Sequence, residues 1–171
     1  MRVRLLPLPL LFVTGLAAAG SVNVTVEIPR IDASEYHRPY VAVWIEKPDQ
    51  SVAANLAVWY MQKDTSEGAG TKWLADLRQW WRRSGRDQTM PIDGISGATR
   101  PVGQHQLKFD TAKAPFANLE PGKYGLVVEA AREVGGRELV RIPFDWPAAS
   151  TAHLEAKGSH ELGAIKLDLN P

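Results

Sequence analysis

The sequence predicts a mainly β fold, an antiparallel β-sandwich that carries one inserted short α-helix. Seven or eight short segments alternate apolar and polar residues, which is the period of a strand with one buried face. Turn signals separate these segments every 10 to 20 residues, as in sandwich domains. One stretch alone shows apolar residues at a convincing helical spacing, so a single inserted helix is expected.

Three strands are predicted in the first part of the chain. Residues 22–28 alternate without a break, and residues 40–46 form a denser β-branched and aromatic run that is typical of a central strand. Residues 55–62 give a third strand. We expect the second and third strands to pair as a hairpin through a proline-containing turn at residues 47–50.

The remaining strands lie in the second half of the chain. Residues 104–109 alternate briefly, and residues 119–129 place a Pro-Gly turn before an apolar strand. This turn-plus-strand segment resembles segments of immunoglobulin-like and prealbumin-like sandwiches. A Gly-Gly pair at residues 135–136 is a strong hairpin signal that joins this strand to residues 138–144. The chain ends with an alternating run at residues 162–169.

The inserted helix is predicted at about residues 71–84. Thr71 is the expected N-cap, and Gly85 is expected to end the helix in a left-handed conformation. The apolar face consists of Trp73, Leu74, Leu77, Trp80 and Trp81. Basic and polar residues fill the other face, with two arginines in the last turn, where positive charge suits the helix dipole.

Residues 1–19 have the basic start, short apolar stretch and small-residue cleavage pattern of a secretory signal peptide. Residues 20–171 then form a single domain, in which 18 basic residues stand against 19 acidic ones. This near-neutral balance predicts no nucleic-acid partner. No later apolar run approaches the ~20 residues of a membrane-spanning helix. We therefore expect a periplasmic protein without membrane insertion after signal cleavage, a retained N-terminal anchor being the alternative.

Composition removes several classes of chemistry. The chain has no cysteine, which excludes thiol catalysis, disulfide exchange, cysteine-ligated iron–sulfur clusters and c-type haem. No nucleophile elbow and no paired carboxylates stand out, so we predict no catalytic residues. The four histidines lack the spacing of a metal site, and none is assigned as a ligand. A metal-handling accessory that gathers them from distant strands is the weakest of three functional hypotheses.

The most informative stretch lies in an aperiodic loop at about residues 86–103. Loops of this length inside a compact domain are usually functional. It contains Asp93-Gly94-Ile95-Ser96-Gly97-Ala98-Thr99. These residues resemble the flavinylation motif Asp-x-x-Ser/Thr-Gly-Ala-Ser/Thr, in which a periplasmic flavin transferase esterifies the last hydroxyl with the phosphate of flavin mononucleotide (FMN). The resemblance implies covalent FMN on Thr99.

The motif residues have distinct expected roles. The two glycines give the loop backbone freedom. Ala98 keeps the approach to the acceptor small, and Asp93 positions the loop in the transferase. Arg100 follows the acceptor directly and suits the phosphate oxygens, because guanidinium groups match them well. The structural alternative is a glycine-rich loop whose Ser96 and Thr99 hydroxyls satisfy local backbone groups.

Aromatic and basic residues surround the motif in the sequence. Trp80 and Trp81 are the candidates to stack on the flavin ring, with packing of the helix against the sandwich as the alternative. An anion site is one interpretation of the basic residues, and a solvated helix face with ion pairs to Asp76 and Asp87 is the other. The basic residues are Arg78, Arg82, Arg83, Arg86 and Arg100.

Several phrases together resemble a bacterial family of predicted periplasmic proteins catalogued as domain of unknown function 2271. They span residues 73–85, 93–100, 122–124 and 129–138. That family has no established activity, but its members tend to be encoded beside PepSY-type membrane proteins and flavin transferases. The resemblance implies a carrier or accessory in flavin-dependent electron transfer outside the cytoplasm. The runner-up hypothesis is a non-redox binding or docking module that partners a membrane protein.

Overall fold

The computed structural model of the protein describes residues 20–64 and 68–171, and the predicted signal peptide lies outside them. The strands are β1 (Ser21–Ile28), β2 (Tyr40–Glu46), β3 (Val52–Tyr60), β4 (Ser96–Ala98), β5 (Gly103–Asp110), β6 (Gly122–Ala131), β7 (Arg137–Trp146), β8 (Ala152–Lys157) and β9 (Ala164–Asn170). Helix α1 is Arg78–Arg83, and 3-10 turns occupy Gly70–Asp76, Gly85–Asp87 and Phe116–Asn118. No helix in the described residues is long and apolar enough to cross a membrane.

Two sheets confirm the predicted mainly β sandwich. One sheet has the strand order β5-β1-β9-β8 and the other the order β4-β3-β2-β6-β7. Every pairing is antiparallel except that of β4 with β3. The expected hairpins are confirmed as β2–β3 and β6–β7, the latter closed by a hydrogen bond from Gly135 N to Arg132 O.

A second core lies outside the sandwich, on the far face of the five-stranded sheet. Strand β2 shows why: Val41, Val43 and Ile45 point between the sheets, whereas Ala42 and Trp44 point outward and are equally buried. Residues 70–87, here called the helical layer, cover that outer face with Leu74, Leu77 and Trp80. A strand buried on both faces reads as a continuous apolar run.

The helical layer differs from the predicted helix 71–84. It is a 3-10 turn and a six-residue α-helix that meet at Leu77, whose ψ of 69° is not helical. Thr71 lies inside the 3-10 turn and does not cap it, because the N-cap position is Ala69. Gly85 is not left-handed; a Cβ there would lie 2.5 Å from the Trp80 ring, so close packing explains this glycine.

A buried carboxylate replaces the missing cap. Glu129 on β6 has no exposed surface and accepts hydrogen bonds from the backbone N–H groups of Gln79 (3.0 Å) and Trp80 (2.8 Å) in the first turn of α1. Its charge is paired with the Nε of Arg137 at 2.5 Å. Unsatisfied N–H groups at a helix start favour an anion there. Glu129 therefore fixes α1 to the sheet.

Two further strands were not predicted. Residues 96–98 form β4 within the expected loop 86–103, because a carbonyl at Ile95 accepts from Val58 N (3.0 Å) and the following residues pair with β3. Residues 152–157 form β8, whose alternation is carried by small and weakly apolar side chains. The total is nine strands among the described residues, against the seven or eight expected.

We expect Glu129→Ala to lower the free energy of unfolding by about 2–4 kcal/mol, because it leaves two helix N–H groups and Arg137 without their partner. Glu155→Ala is the matched control, since Glu155 is exposed and lies 3.7 Å from Lys166; its cost should stay below about 0.5 kcal/mol. Urea unfolding measures both. Equal losses in the two variants would contradict the anchoring role.

Glu138 should make stability depend on pH. Burial raises its pKa, but hydrogen bonds from the backbone N–H groups of Ser159, His160 and Leu162 and from the Ser159 hydroxyl prevail and lower it from 4.5 to about 2. A depressed folded-state pKa stabilises the protein above pH 4.5, and this contribution is lost as the pH falls towards 2. The free-energy gap between the wild type and Glu138→Gln should therefore narrow between about pH 5 and pH 2, by about 1–3 kcal/mol in urea titrations. A gap that stays constant over this range would contradict the assignment.

Candidate functional site

The flavinylation-like motif lies at the edge of the five-stranded sheet. Ser96, Gly97 and Ala98 pair in parallel with Val58, Trp59 and Tyr60 of β3. Asp93 and Gly94 precede this strand in an exposed turn, where Gly94 has a φ of 68°. Within the expected loop 86–103, the motif is therefore a turn at residues 93–95 followed by an edge strand at residues 96–98, which pairs with β3.

The two motif hydroxyls are in different situations. The Ser96 hydroxyl accepts a hydrogen bond from the N–H of Ile92 at 2.8 Å and closes the turn. The half-buried Thr99 directly follows β4, and its hydroxyl makes no hydrogen bond to any residue in the described part of the chain. The alternative that the motif hydroxyls satisfy local backbone groups therefore holds for Ser96. The Thr99 hydroxyl makes no such bond with a described residue.

Gly97 and Arg100 both contact Trp59. A Cβ at Gly97 would lie 3.2 Å from Cδ1 of the Trp59 ring, so this glycine serves a close approach and does not adopt positive φ. The Arg100 guanidinium lies over the same ring, 5.2 Å from its centre. Thr99, in contrast, lines a cavity that Arg100 does not reach. Because side chains alternate along an extended chain, the acceptor and the arginine after it diverge.

That cavity has a volume of about 750 Å³ and lies where three parts of the fold meet. Tyr36, His37 and Arg38 come from the segment before β2, and the helical layer adds Trp73, Asp76 and Arg78. The β6–β7 hairpin contributes residues 131–137. Ligand pockets commonly have volumes of about 300–1,000 Å³. The space suits a cofactor-sized molecule.

The expected aromatic neighbours are arranged differently from the prediction. Trp80 is fully buried, and its indole N–H donates to the side-chain oxygen of Asn55 at 2.9 Å, so it has no exposed face for stacking. Trp81 is half-buried against the second core and does not line the cavity. Trp73, which was assigned to the apolar helix face, is 36% exposed and does line it.

The basic cluster expected around the motif is dispersed. Arg83 pairs with the buried carboxylate of Glu46 at 2.6 Å, and Arg86 lies 3.8 Å from Asp87. Of the five arginines that bracket the motif in sequence, Arg78 is the one that lines the cavity with Thr99. Its side chain is exposed and forms no ion pair with a described residue.

Three other arginines also line the cavity, Arg38, Arg132 and Arg137, and the sequence did not indicate them as site residues. Arg132 forms a bidentate pair with the buried Glu161 at 2.8 and 3.1 Å, which raises the pKa of Arg132. Arg137 pairs with Glu129, as described above. Arg132 and Arg137 flank the Gly-Gly turn, and the sequence marked this region only by its hairpin signal and by the family-like segment 129–138.

The Arg132 guanidinium faces the Tyr36 ring at 6.0 Å from its centre. Burial raises the pKa of Tyr36, and the Arg132 charge opposes this. The phenol oxygen of Tyr36 and the Nη1 atom of Arg132 are both enclosed and have no hydrogen-bond partner. Both are therefore buried polar groups that no described protein atom satisfies.

The four histidines do not converge. His37 lines the cavity near Glu133, His105 bonds to the carbonyl of Pro101 at 2.7 Å, and His153 pairs with Asp168 at 2.7 Å. Within residues 20–64 and 68–171 no group of three or more His, Cys, Asp or Glu side chains is placed to hold a metal ion.

Comparison with known proteins gives one match. The model of the family described as predicted periplasmic proteins, domain of unknown function 2271, matches residues 21–164. No curated protein and no solved structure matches the chain. The matched range includes β1 to β8, the helical layer and the motif, and it ends at the first residue of β9.

The two motif hydroxyls should differ in their effect on stability. Ser96→Ala removes the acceptor for the Ile92 N–H and should lower the free energy of unfolding by about 1 kcal/mol. Thr99→Val keeps the shape of the side chain and should change the free energy of unfolding by less than about 0.5 kcal/mol, because the Thr99 hydroxyl bonds to none of the residues that the structure describes. Urea unfolding of the two variants tests this. A larger loss for Thr99→Val would mean that its hydroxyl is structural.

Proposed function

The chain belongs to the family of predicted periplasmic proteins whose model it matches, and from that premise we propose that it carries FMN esterified to Thr99. It then serves as a carrier or accessory protein in flavin-dependent electron transfer outside the cytoplasm. The single observation that carries the proposal is the position of Thr99, whose hydroxyl has no hydrogen-bond partner in residues 20–64 and 68–171 and which lines a cofactor-sized cavity.

The surroundings of Thr99 fit the chemistry of FMN. Trp73, Tyr36 and Tyr40 line the cavity and offer aromatic surface for a flat ring. Arg78 lines the same cavity and supplies a guanidinium group for the phosphate. Arg78 thus takes the role that the sequence assigned to Arg100. When bound, FMN supplies reversible uptake of one or two electrons.

Attachment requires a second protein. The Thr99 oxygen attacks the phosphorus of an activated FMN donor such as FAD; the new oxygen–phosphorus bond forms as the pyrophosphate bond breaks. AMP leaves, and the threonine proton passes to a base of the transferase, because no described group near Thr99 forms a hydrogen bond with its hydroxyl. The exposed Ala98 and Arg100 on either side leave this edge open to an enzyme.

The expected partners follow from this role. A flavin transferase loads Thr99, and a membrane protein of the PepSY type exchanges electrons with the loaded carrier. The protein needs no acid–base catalysis of its own, since electron transfer through a bound flavin makes no such demand.

Flavin transfer can be read directly. The exported chain is co-expressed with a flavin transferase, denatured, and examined for flavin fluorescence on the gel band and for the added mass of one FMN unit. We expect a fluorescent wild type, a fluorescent Thr99→Ser variant that keeps the hydroxyl, and a dark Thr99→Ala variant. Thr151→Ala, which changes an exposed threonine outside the motif, is the control and should match the wild type. A dark wild type beside an active transferase, or a fluorescent Thr99→Ala band, would refute the proposal.

A non-redox docking module is the second candidate. The observation that favours it is a pair of exposed apolar side chains at the cavity, Trp73 at 36% and Val134 at 78% exposure. Exposed apolar groups of this kind mark partner surfaces when they form a patch. A wild-type chain that stays dark in the flavin experiment favours this candidate.

A further inference from the structure

The cavity offers more hydrogen-bond donors than the protein itself uses. Four arginines line it, Arg38, Arg78, Arg132 and Arg137, against two carboxylates, Asp76 and Glu133. A guanidinium carries five N–H donors in a planar fork. These N–H groups can donate hydrogen bonds to the oxygen atoms of an anion.

The buried carboxylates beneath the cavity take only part of this capacity. Glu161 uses Nε and Nη2 of Arg132 and leaves Nη1 without a partner, and Glu129 uses Nε of Arg137. Arg132 is 93% buried, as its side-chain exposure is 7%. Arg132 Nη1 and the Tyr36 hydroxyl are both enclosed and without a hydrogen-bond partner among the described residues, so the hydrogen-bond set around Arg132 is incomplete.

The two carboxylates of the lining do not cancel the free arginines. Glu133 lies 3.4 Å from Nδ1 of His37, and neither it nor Asp76 forms an ion pair with an arginine in the described part of the chain. Arg38 and Arg78 therefore remain exposed cations at the cavity. Both guanidinium groups are accessible to an anionic group in the cavity.

Aromatic side chains form another part of the lining. Tyr36, Tyr40 and Trp73 contribute rings, and the Tyr40 hydroxyl is held by the Gly70 carbonyl at 3.0 Å. Flat rings and arginine side chains together accommodate a planar ligand by stacking and by cation–π contact. The lining is thus apolar for a ring system and cationic for its charged end.

We infer that the cavity is a reversible binding site for planar aromatic phosphate monoesters, with Arg78 and Arg38 as the principal phosphate ligands. FMN belongs to this ligand class. The inference deepens the proposed function by assigning recognition to the cavity, and it does not require the ester at Thr99. A protein that is never flavinylated should still show this site.

The test uses the mature chain with Thr99→Ala, which has no acceptor hydroxyl, and three probes: FMN, riboflavin and inorganic phosphate. Equilibrium dialysis and quenching of flavin fluorescence measure binding. We expect FMN to bind about tenfold more tightly than riboflavin, which lacks the phosphate, and inorganic phosphate to displace FMN. The affinity for FMN should fall as salt is added.

Two arginine variants test where the phosphate group binds. Arg78→Ala should weaken FMN binding about tenfold and leave riboflavin binding unchanged. Arg82→Ala is the control on the same helix, because Arg82 lies outside the cavity and donates to Gln79; it should stay within about twofold of the parent. Both residues are exposed, so neither change threatens the fold.

The inference is overturned if FMN does not bind, if riboflavin binds as tightly as FMN, or if Arg78→Ala and Arg82→Ala behave alike. These outcomes are separate from those of the flavin-transfer experiment. If the wild-type band is dark but FMN binds to the Thr99→Ala chain, the proposed ester is refuted and the reversible site is supported. If the wild-type band is fluorescent but FMN does not bind to the Thr99→Ala chain, the ester is supported and the reversible site is refuted.

Discussion

The hydrogen bonds that Glu129 makes from the centre of the five-stranded sheet organise the outer half of this protein. A six-residue helix has no stability of its own in water, so tertiary contacts must hold it. Glu129 supplies an anion at the helix start, and Leu74, Leu77 and Trp80 supply the apolar contact. Without this layer the outer face of β2 would be exposed, and the cavity would lose one wall.

Buried glutamates recur as the connectors of the fold. Glu46 holds Arg83 of the helical layer and Arg141 of β7, and Glu161 holds Arg132 and the backbone of the β6–β7 turn. Each joins elements distant in sequence, and each is matched to at least one guanidinium. Such pairs stabilise little relative to apolar packing, but breaking one leaves a buried charge. They therefore specify which arrangement of the elements is tolerated.

Sequence periodicity predicted the sandwich because its strands bury one face and alternate accordingly. Periodicity failed to predict β4, because three residues are too few to show an alternation. It also failed to predict β8, because two of its three half-buried side chains are those of alanine. The helix boundaries were wrong because a carboxylate fifty residues away sets the start of α1, which no local cap signal reveals. For the site, the motif drew attention to Thr99 as an acceptor, and the structure places Thr99 on a cavity wall that the sequence did not predict. Arg132 and Arg137 reach the same cavity from a hairpin that only folding brings near. Which tryptophan is free, Trp73 or Trp80, depends on the turn at Leu77.

Arg137 belongs at once to the anchor of α1 and to the cavity lining. The charge of Arg137 balances that of Glu129, and the pairing of these two side chains also sets the orientation of the other N–H groups of the guanidinium. Thermodynamic linkage then works in both directions: a ligand that draws on Arg137 changes how firmly the helix is held, and the packing of the helix changes the affinity for the ligand. Binding of a ligand that contacts Arg137 would thus be coupled to the packing of α1 on the outer face of the sheet.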